Sequence, residues 1–204
     1  MRTQRERMIA GELYTGDSEL RKMNQRNRRL LHKYNSMTVD ESAERVALLK
    51  ELLGKTGDKV HFEPPFRCDY GDHISVGENF YANFDCIMLD VAPITIGDNV
   101  LFGPRVGVYT AGHPIDAEIR TSGLEFGTPI TIGDNVWIGG NVVINPGVTI
   151  GNNVIVGSGS VVTKSLPDNV VAAGNPCRVL REVTNEDKVY WTKLKEEYEQ
   201  EMNS

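Results

Sequence analysis

A chain of 204 residues, 40% of them hydrophobic, is long enough to bury a substantial core, which sets aside a disordered protein. Its 22 basic and 28 acidic residues leave a formal charge of -6, which argues against nucleic acid as the main partner. No apolar run approaches the roughly 20 residues that span a bilayer, and the opening MRTQRERMIAGELY lacks the apolar core of a secretory signal, so the cytoplasm is expected and a membrane partner is not.

Residues 1–58 read as a helical segment. Residues 3–13 suit a short helix, and DSELRKMNQRNRRLLHKY follows with Asp17 as an N-cap and Glu19 in its first turn. TVDESAERVALLKELLG then offers Thr38 and Glu41 as a capping box and a stop at Gly54. Arg21, Lys22, Arg26, Arg28, Arg29 and Lys33 are spread around the second helix with no interleaved aromatics. They read as a solvated face rather than a nucleic-acid surface.

From residue 59 the pattern changes to a period of six. Ile132, Ile138, Ile144, Ile150, Val156 and Val162 recur without a slip, and a glycine, asparagine or threonine follows each one. Neither a helix, with apolar spacing near 3.6, nor a simple alternating strand accounts for this. Hexapeptides that each make one short strand and one corner do, with Gly and Asn expected to supply the corner dihedrals. The same series runs earlier through Val76, Ala82 and Met88, slips by two residues, and resumes at Ile96, Phe102 and Val108. The phrase ITIGDNV opens a run of coils at residue 94 and again at residue 130. Between them, residues 113–129 form an excursion without inward aliphatics, and a long loop in a compact domain is usually functional. Coils are expected to residue 183 and a helix over 184–204, where Tyr190, Leu194 and Tyr198, with Trp191 beside them, should pack against a body. Cys68, Cys86 and Cys177 are odd in number and lack metal-ligand spacing, which fits small buried residues in a reducing compartment.

MIAGELY, FRCDYG, YANFDCIMLD, YTAGHPID, NVWIGG, INPGVTIG, GSVVTK and GNPCRV, in that order over residues 8–183, resemble the maltose and galactoside O-acetyltransferase family, most nearly the maltose type. The resemblance implies a mainly β fold, a left-handed parallel β-helix of hexapeptide repeats with helices at both ends. It also implies acetyl-CoA as cosubstrate, a sugar hydroxyl as acceptor, and a homotrimer with active sites between subunits.

His113, between Gly112 and Pro114 where the chain leaves the coil, has the chemistry of a general base and matches the family's catalytic histidine. His32, His61 and His73 lack that context and read as packing or surface residues. Asn83 reads either as a corner asparagine or, by resemblance, as an amide that orients the hydroxyl or the developing oxyanion. Asp17, Asp69, Tyr81 and Asp90 are candidate acceptor contacts, although Asp17 could equally be a helix cap alone. For the acetyl-CoA groove the resemblance implies Ser158, Thr163, Lys164, Arg178 and Arg181, the cations meeting phosphate; Gly140 is a further candidate, and Trp137 reads equally as an interface residue or as groove lining. No clustered histidines have ligand spacing, which tells against the metal-dependent carbonic anhydrases that share this β-helix and leaves no metal expected. Two alternatives stay open. One is acetylation of an amino acid or antibiotic; the other is a non-catalytic CoA-binding or scaffold trimer.

Overall fold

The six-residue period folds as a triangular coil. In the computed structural model, which describes residues 1–203, each hexapeptide gives a strand of two or three residues and a turn, and three complete one coil of a parallel β-helix. Ile132 pairs with Ile150, Ile138 with Val156 and Ile144 with Val162, each 18 residues on. Lower down, Val76 pairs with Ile96, Ala82 with Phe102 and Met88 with Val108, 20 residues on, because the slip after Met88 adds two. Across the excursion the spacing is 36, as in Ile96 with Ile132, so the length of one whole coil is ejected without breaking register. None of these inward side chains is more than 3% exposed. Full burial of each large aliphatic stabilises by about 1.5–3 kcal/mol, which makes this stack the main source of stability.

The chain visits three faces in turn. A seven-stranded face runs Val60–Phe62, Phe80–Ala82, Leu101–Phe102, Trp137–Ile138, Ile155–Val156 and Val170–Gly174, then closes with the antiparallel Cys177–Glu182. A five-stranded face runs Arg67–Cys68, Ile87–Leu89, Gly107–Tyr109, Val143–Ile144 and Val161–Val162. A four-stranded face runs Ile74–Val76, Ile94–Ile96, Ile130–Ile132 and Thr149–Ile150. Three edges join them. The edge between the seven- and five-stranded faces carries Asn83, the edge between the five- and four-stranded faces carries His113, and the third returns to the seven-stranded face.

The corners differ from expectation in one respect. The left-handed residue lies three positions after the inward aliphatic, not directly after it, as at Asn79, Asn99, Asn135, Asn141, Asn153 and Gly147. The glycine directly after is needed for close approach. A Cβ on Gly97 would fall 2.1 Å from Asp134 Oδ1, and one on Gly133 would fall 2.5 Å from Asn152 Oδ1. Those side chains belong to a ladder on the third edge. The amides of Glu78, Asp98, Asp134 and Asn152 donate in turn to Asp98, Asp134, Asn152 and Asp168 at 2.7–2.8 Å.

Three helices precede the coils; the second and third close their lower end, and the first packs by the root of the excursion. Helix α1 (Gln4–Ile9), shorter than expected, is capped by Thr3 with Glu6, and α2 (Ser18–Ser36) by Asp17, whose Oδ1 accepts from the Leu20 amide at 2.9 Å. Helix α3 (Ser42–Leu52) begins later than the expected capping box, because the Glu41 carboxylate accepts from both the amide and the hydroxyl of Thr38 and so forms the preceding turn. Leu31, Tyr34, Leu48, Leu49 and Leu52 cover the open end of the lower coils and join the main core. Helix α4 (Ala117–Thr121) lies within the excursion. Helix α5 (Asn185–Met202) departs from expectation: no residue of its stripe is buried, with Tyr190 57%, Trp191 65% and Tyr198 62% exposed. No helix among the described residues is long and apolar enough to cross a membrane.

Candidate active site

The His113 edge is built by zipping the excursion shut at its root. Ala111 and Gly112 pair antiparallel with Gly127 and Phe126, so the loop leaves and returns at one point. Beyond the root, Arg120 donates to the carbonyls of Pro114 and Ile115 at 3.0 and 2.7 Å, and Asp116 caps α4 through the Ile119 amide at 3.0 Å. These bonds fix the backbone on which His113 stands. The imidazole is exposed, and among the described residues no hydrogen bond occupies it, so both ring nitrogens are free for substrate.

Below it, Asp90 has a different task from the expected acceptor contact. It is 0% exposed, and its carboxylate accepts from the amides of Asp69 and Tyr70, both at 2.9 Å, and of Gly71 at 2.7 Å. Three amides use both oxygens, so Asp90 shapes the turn that presents Asp69. It sits in the two-residue slip seen in the sequence. Asp69 itself is half-buried, and desolvation, reinforced by Asp90 and Glu125, pushes its carboxyl up to about 6. Asp17 keeps its second oxygen beyond the one used in capping. A cleft of about 450 Å³ opens beside Asp69, with Asn24, Arg28, His32, Arg67 and Leu89 in its wall.

Two residues braced against this edge were not candidates in the sequence. Tyr14 is 2% exposed; its amide and carbonyl bond the carbonyl and amide of Glu125, both at 3.0 Å, and its phenol donates to Glu125 Oε2 at 2.8 Å. The partners are 111 residues apart, which no local pattern reveals.

The Asn83 edge is plainer. Asn83 Oδ1 accepts from the Phe84 amide at 2.8 Å, leaving the side-chain NH2 free to donate outward, and its φ is not left-handed. Gly140 and Ser158 occupy the same edge on later coils, where the Gly159 amide reaches the Gly140 carbonyl at 2.9 Å. On the adjoining seven-stranded face, Trp137 is 55% exposed, and Tyr81 stacks on His61 with ring centroids 5.3 Å apart. Thr163 and Lys164 lie high on the His113 edge and are exposed, and Arg178 lies in the closing hairpin.

Arg181 is the exception among the expected phosphate cations. It forms a two-pronged ion pair with Asp187 of α5 at 2.7 and 2.8 Å, which holds that carboxyl down at about 2. Its charge ties the last helix to the hairpin. Among the described residues Lys164 and Arg178 form no such pair.

The chain thus gathers Asp17, Asp69, Asp90, His113, Thr163 and Lys164 about one edge and Asn83, Gly140 and Ser158 about another. No single edge holds both His113 and Asn83. Apolar side chains stand exposed on both sides, Ile115 at 96% and Ile119 at 45% on the excursion, Phe84 at 51% and Leu101 at 48% by the other edge. Among the described residues no cluster of His, Cys, Asp or Glu could hold a metal ion.

Fold and site define a hexapeptide-repeat transferase. The maltose acetyltransferase hexapeptide capping motif matches residues 7–57, the six-repeat bacterial transferase hexapeptide matches 129–164, and the hexapeptide repeat of succinyl-transferase matches 93–115. The galactoside O-acetyltransferase of Escherichia coli K12 is 48% identical over 189 residues, covering 92% of this chain and 93% of its own. A crystal structure of a maltose O-acetyltransferase from Clostridium difficile 630 is 51% identical with a TM-score of 0.89, covering 90% of this chain and 98% of its own. A galactoside acetyltransferase in complex with coenzyme A is 46% identical, also with a TM-score of 0.89, covering 92% and 94%. The chain belongs to the maltose and galactoside O-acetyltransferase family.

Proposed function

We propose that this protein transfers the acetyl group of acetyl-CoA to a hydroxyl of a sugar such as maltose, glucose or a galactoside, at sites shared between the subunits of a homotrimer. The observation that carries the reading is the exposed, unengaged imidazole of His113 on a braced loop root, on the same edge of the coil as half-buried Asp69, in a chain similar along nine-tenths of its length to sugar acetyltransferases. His113 takes the proton from the acceptor hydroxyl as its oxygen attacks the thioester carbonyl carbon. The C–S bond then breaks, and His113 returns the proton to the departing CoA sulfur. The free amide of Asn83 donates to the carbonyl oxygen as negative charge develops there. Asp69 and the open oxygen of Asp17 accept from other hydroxyls of the sugar. Ser158, Gly140, Thr163 and Trp137 suit the pantetheine arm, and Lys164 and Arg178 suit its phosphates.

The two half-sites support the trimer. A threefold axis sets the His113 edge of one subunit against the Asn83 edge of the next, and the apolar excursion then covers Phe84 and Leu101. Thiol release from acetyl-CoA with a panel of maltose, glucose, galactosides, amino sugars, serine and chloramphenicol tests the reaction. Turnover with a sugar, lost at least about a hundredfold in His113→Ala, supports it. Turnover only with serine or chloramphenicol, or none despite CoA binding, contradicts it.

A further inference from the structure

We infer that Glu125, seated by Tyr14, is a positioning residue for the acceptor side of acetyl transfer: the pair clasps the N-terminal arm to the root of the His113 loop and holds a second carboxylate beside Asp69. The inference rests on the proposed acetyl transfer and adds two residues to it. Met8, Tyr14, Leu20 and Val91 form a small core of their own, with Tyr70 and Ala111 packed against it. Ala111 lies two residues before His113, and Glu125 two residues before Gly127, so one cluster touches both ends of the loop.

The chemistry of the clasp exceeds what packing requires. A phenylalanine at position 14 would fill the same core without needing a carboxylate partner. Instead a charge-assisted bond at 2.8 Å orients Glu125, engaging Oε2 and leaving Oε1 without a partner among the described residues. That carboxylate lies near enough to Asp69 and Tyr70 to raise the proton affinity of both. Gathering half-buried carboxylates is costly unless a ligand's donors meet them. A sugar supplies hydroxyl donors on adjacent carbons, and two neighbouring carboxyl groups can accept from them and fix which hydroxyl faces His113.

Tyr14→Phe, Glu125→Gln and the double variant test the clasp, by steady-state kinetics for both substrates and by amide hydrogen exchange over residues 111–127. Tyr14→Phe should speed exchange at the loop root and lower kcat/KM for the sugar about tenfold, while KM for acetyl-CoA stays within about twofold. Glu125→Gln still accepts from the phenol, so exchange should stay near wild type while the sugar's KM rises. The double variant should lose less than the product of the single losses. Equal changes in both substrates' KM, or unchanged exchange and sugar kinetics in Tyr14→Phe, overturn the inference. If the wild type acetylates no sugar, the reading of the reaction fails first. The exchange measurement still decides the clasp, since an unaltered loop root in Tyr14→Phe removes it.

Discussion

The third edge of the prism and the His113 edge are made by the same chain and solve opposite problems. On the third edge, coil after coil places an acidic or amide side chain where it accepts the amide of the coil beside it, and asparagines donate to asparagines, as from Asn79 to Asn99 at 2.9 Å and Asn99 to Asn135 at 3.1 Å. These bonds hold neighbouring coils together. On the His113 edge the repeat breaks twice, once for the slip that buries Asp90 and once for the ejected loop. There, among the described residues, no hydrogen bond engages the side chains of His113, Lys164 and Asp69 or one oxygen each of Asp17 and Glu125. Regularity goes with stability and irregularity with chemistry, so damage to the two edges should separate cleanly.

The largest effect expected is on the irregular edge. His113→Ala should lower kcat by about 10²–10⁴-fold, with the urea midpoint and CoA affinity unchanged, because an exposed side chain without partners contributes to turnover alone. Loss of folding in that variant would blur the separation.

Asp69 sharpens it through pH. Its folded-state carboxyl titrates about two units above the ordinary value of 3.8, so the folded protein holds a proton that the unfolded chain has released across pH 4–6. The stability from that proton is fully present below about pH 4 and is lost as pH rises through 6. Asp69→Asn should therefore be more stable than wild type at pH 7 by about 1–3 kcal/mol, with the gain vanishing near pH 4, while losing activity. Urea unfolding at both pH values checks this; a gain that persists at pH 4 contradicts it.

On the regular edge, Gly97→Ala should cost about 1–3 kcal/mol, since its Cβ meets Asp134 Oδ1 and the Gly133 backbone. Its kcat should remain near wild type. The smallest effect concerns Arg105, which holds a left-handed φ of 59 on the Asn83 edge. Arg105→Gly should be stabilising by about 0.5–1 kcal/mol, because glycine adopts that backbone without the Cβ clash. A thermal shift downward would show that the Arg105 contact to Asp85, at 3.8 Å, outweighs the backbone term.

The coil was legible because a buried aliphatic must recur every six residues if three short strands are to close a triangle, and Ile132 to Val162 does so without fault. The roles of the glycines were not legible. Gly97 and Gly133 look like corner residues in a string of letters, and only the spacing of coils reveals that a Cβ has no room. His113 stood out because it interrupts a repeat. Asp90 did not, since a lone carboxylate in a sequence gives no sign that three amides will surround it. Tyr14 and Glu125 were hidden by distance along the chain. The stripe on α5 reads as packing in the sequence but stays exposed, and Arg181 pairs with Asp187 of α5, which six-residue periodicity does not register.

Mixing His113→Ala subunits with Asn83→Ala subunits, by joint refolding from denaturant, tests the division of the site most directly. If each site takes His113 from one subunit and Asn83 from the next, random trimers place both intact residues at about a quarter of the interfaces, so the mixture should regain about a quarter of wild-type activity from two nearly inactive parents. No recovery, with mixed trimers verified by mass, would mean that one chain supplies both residues and that the two edges do not meet across an interface.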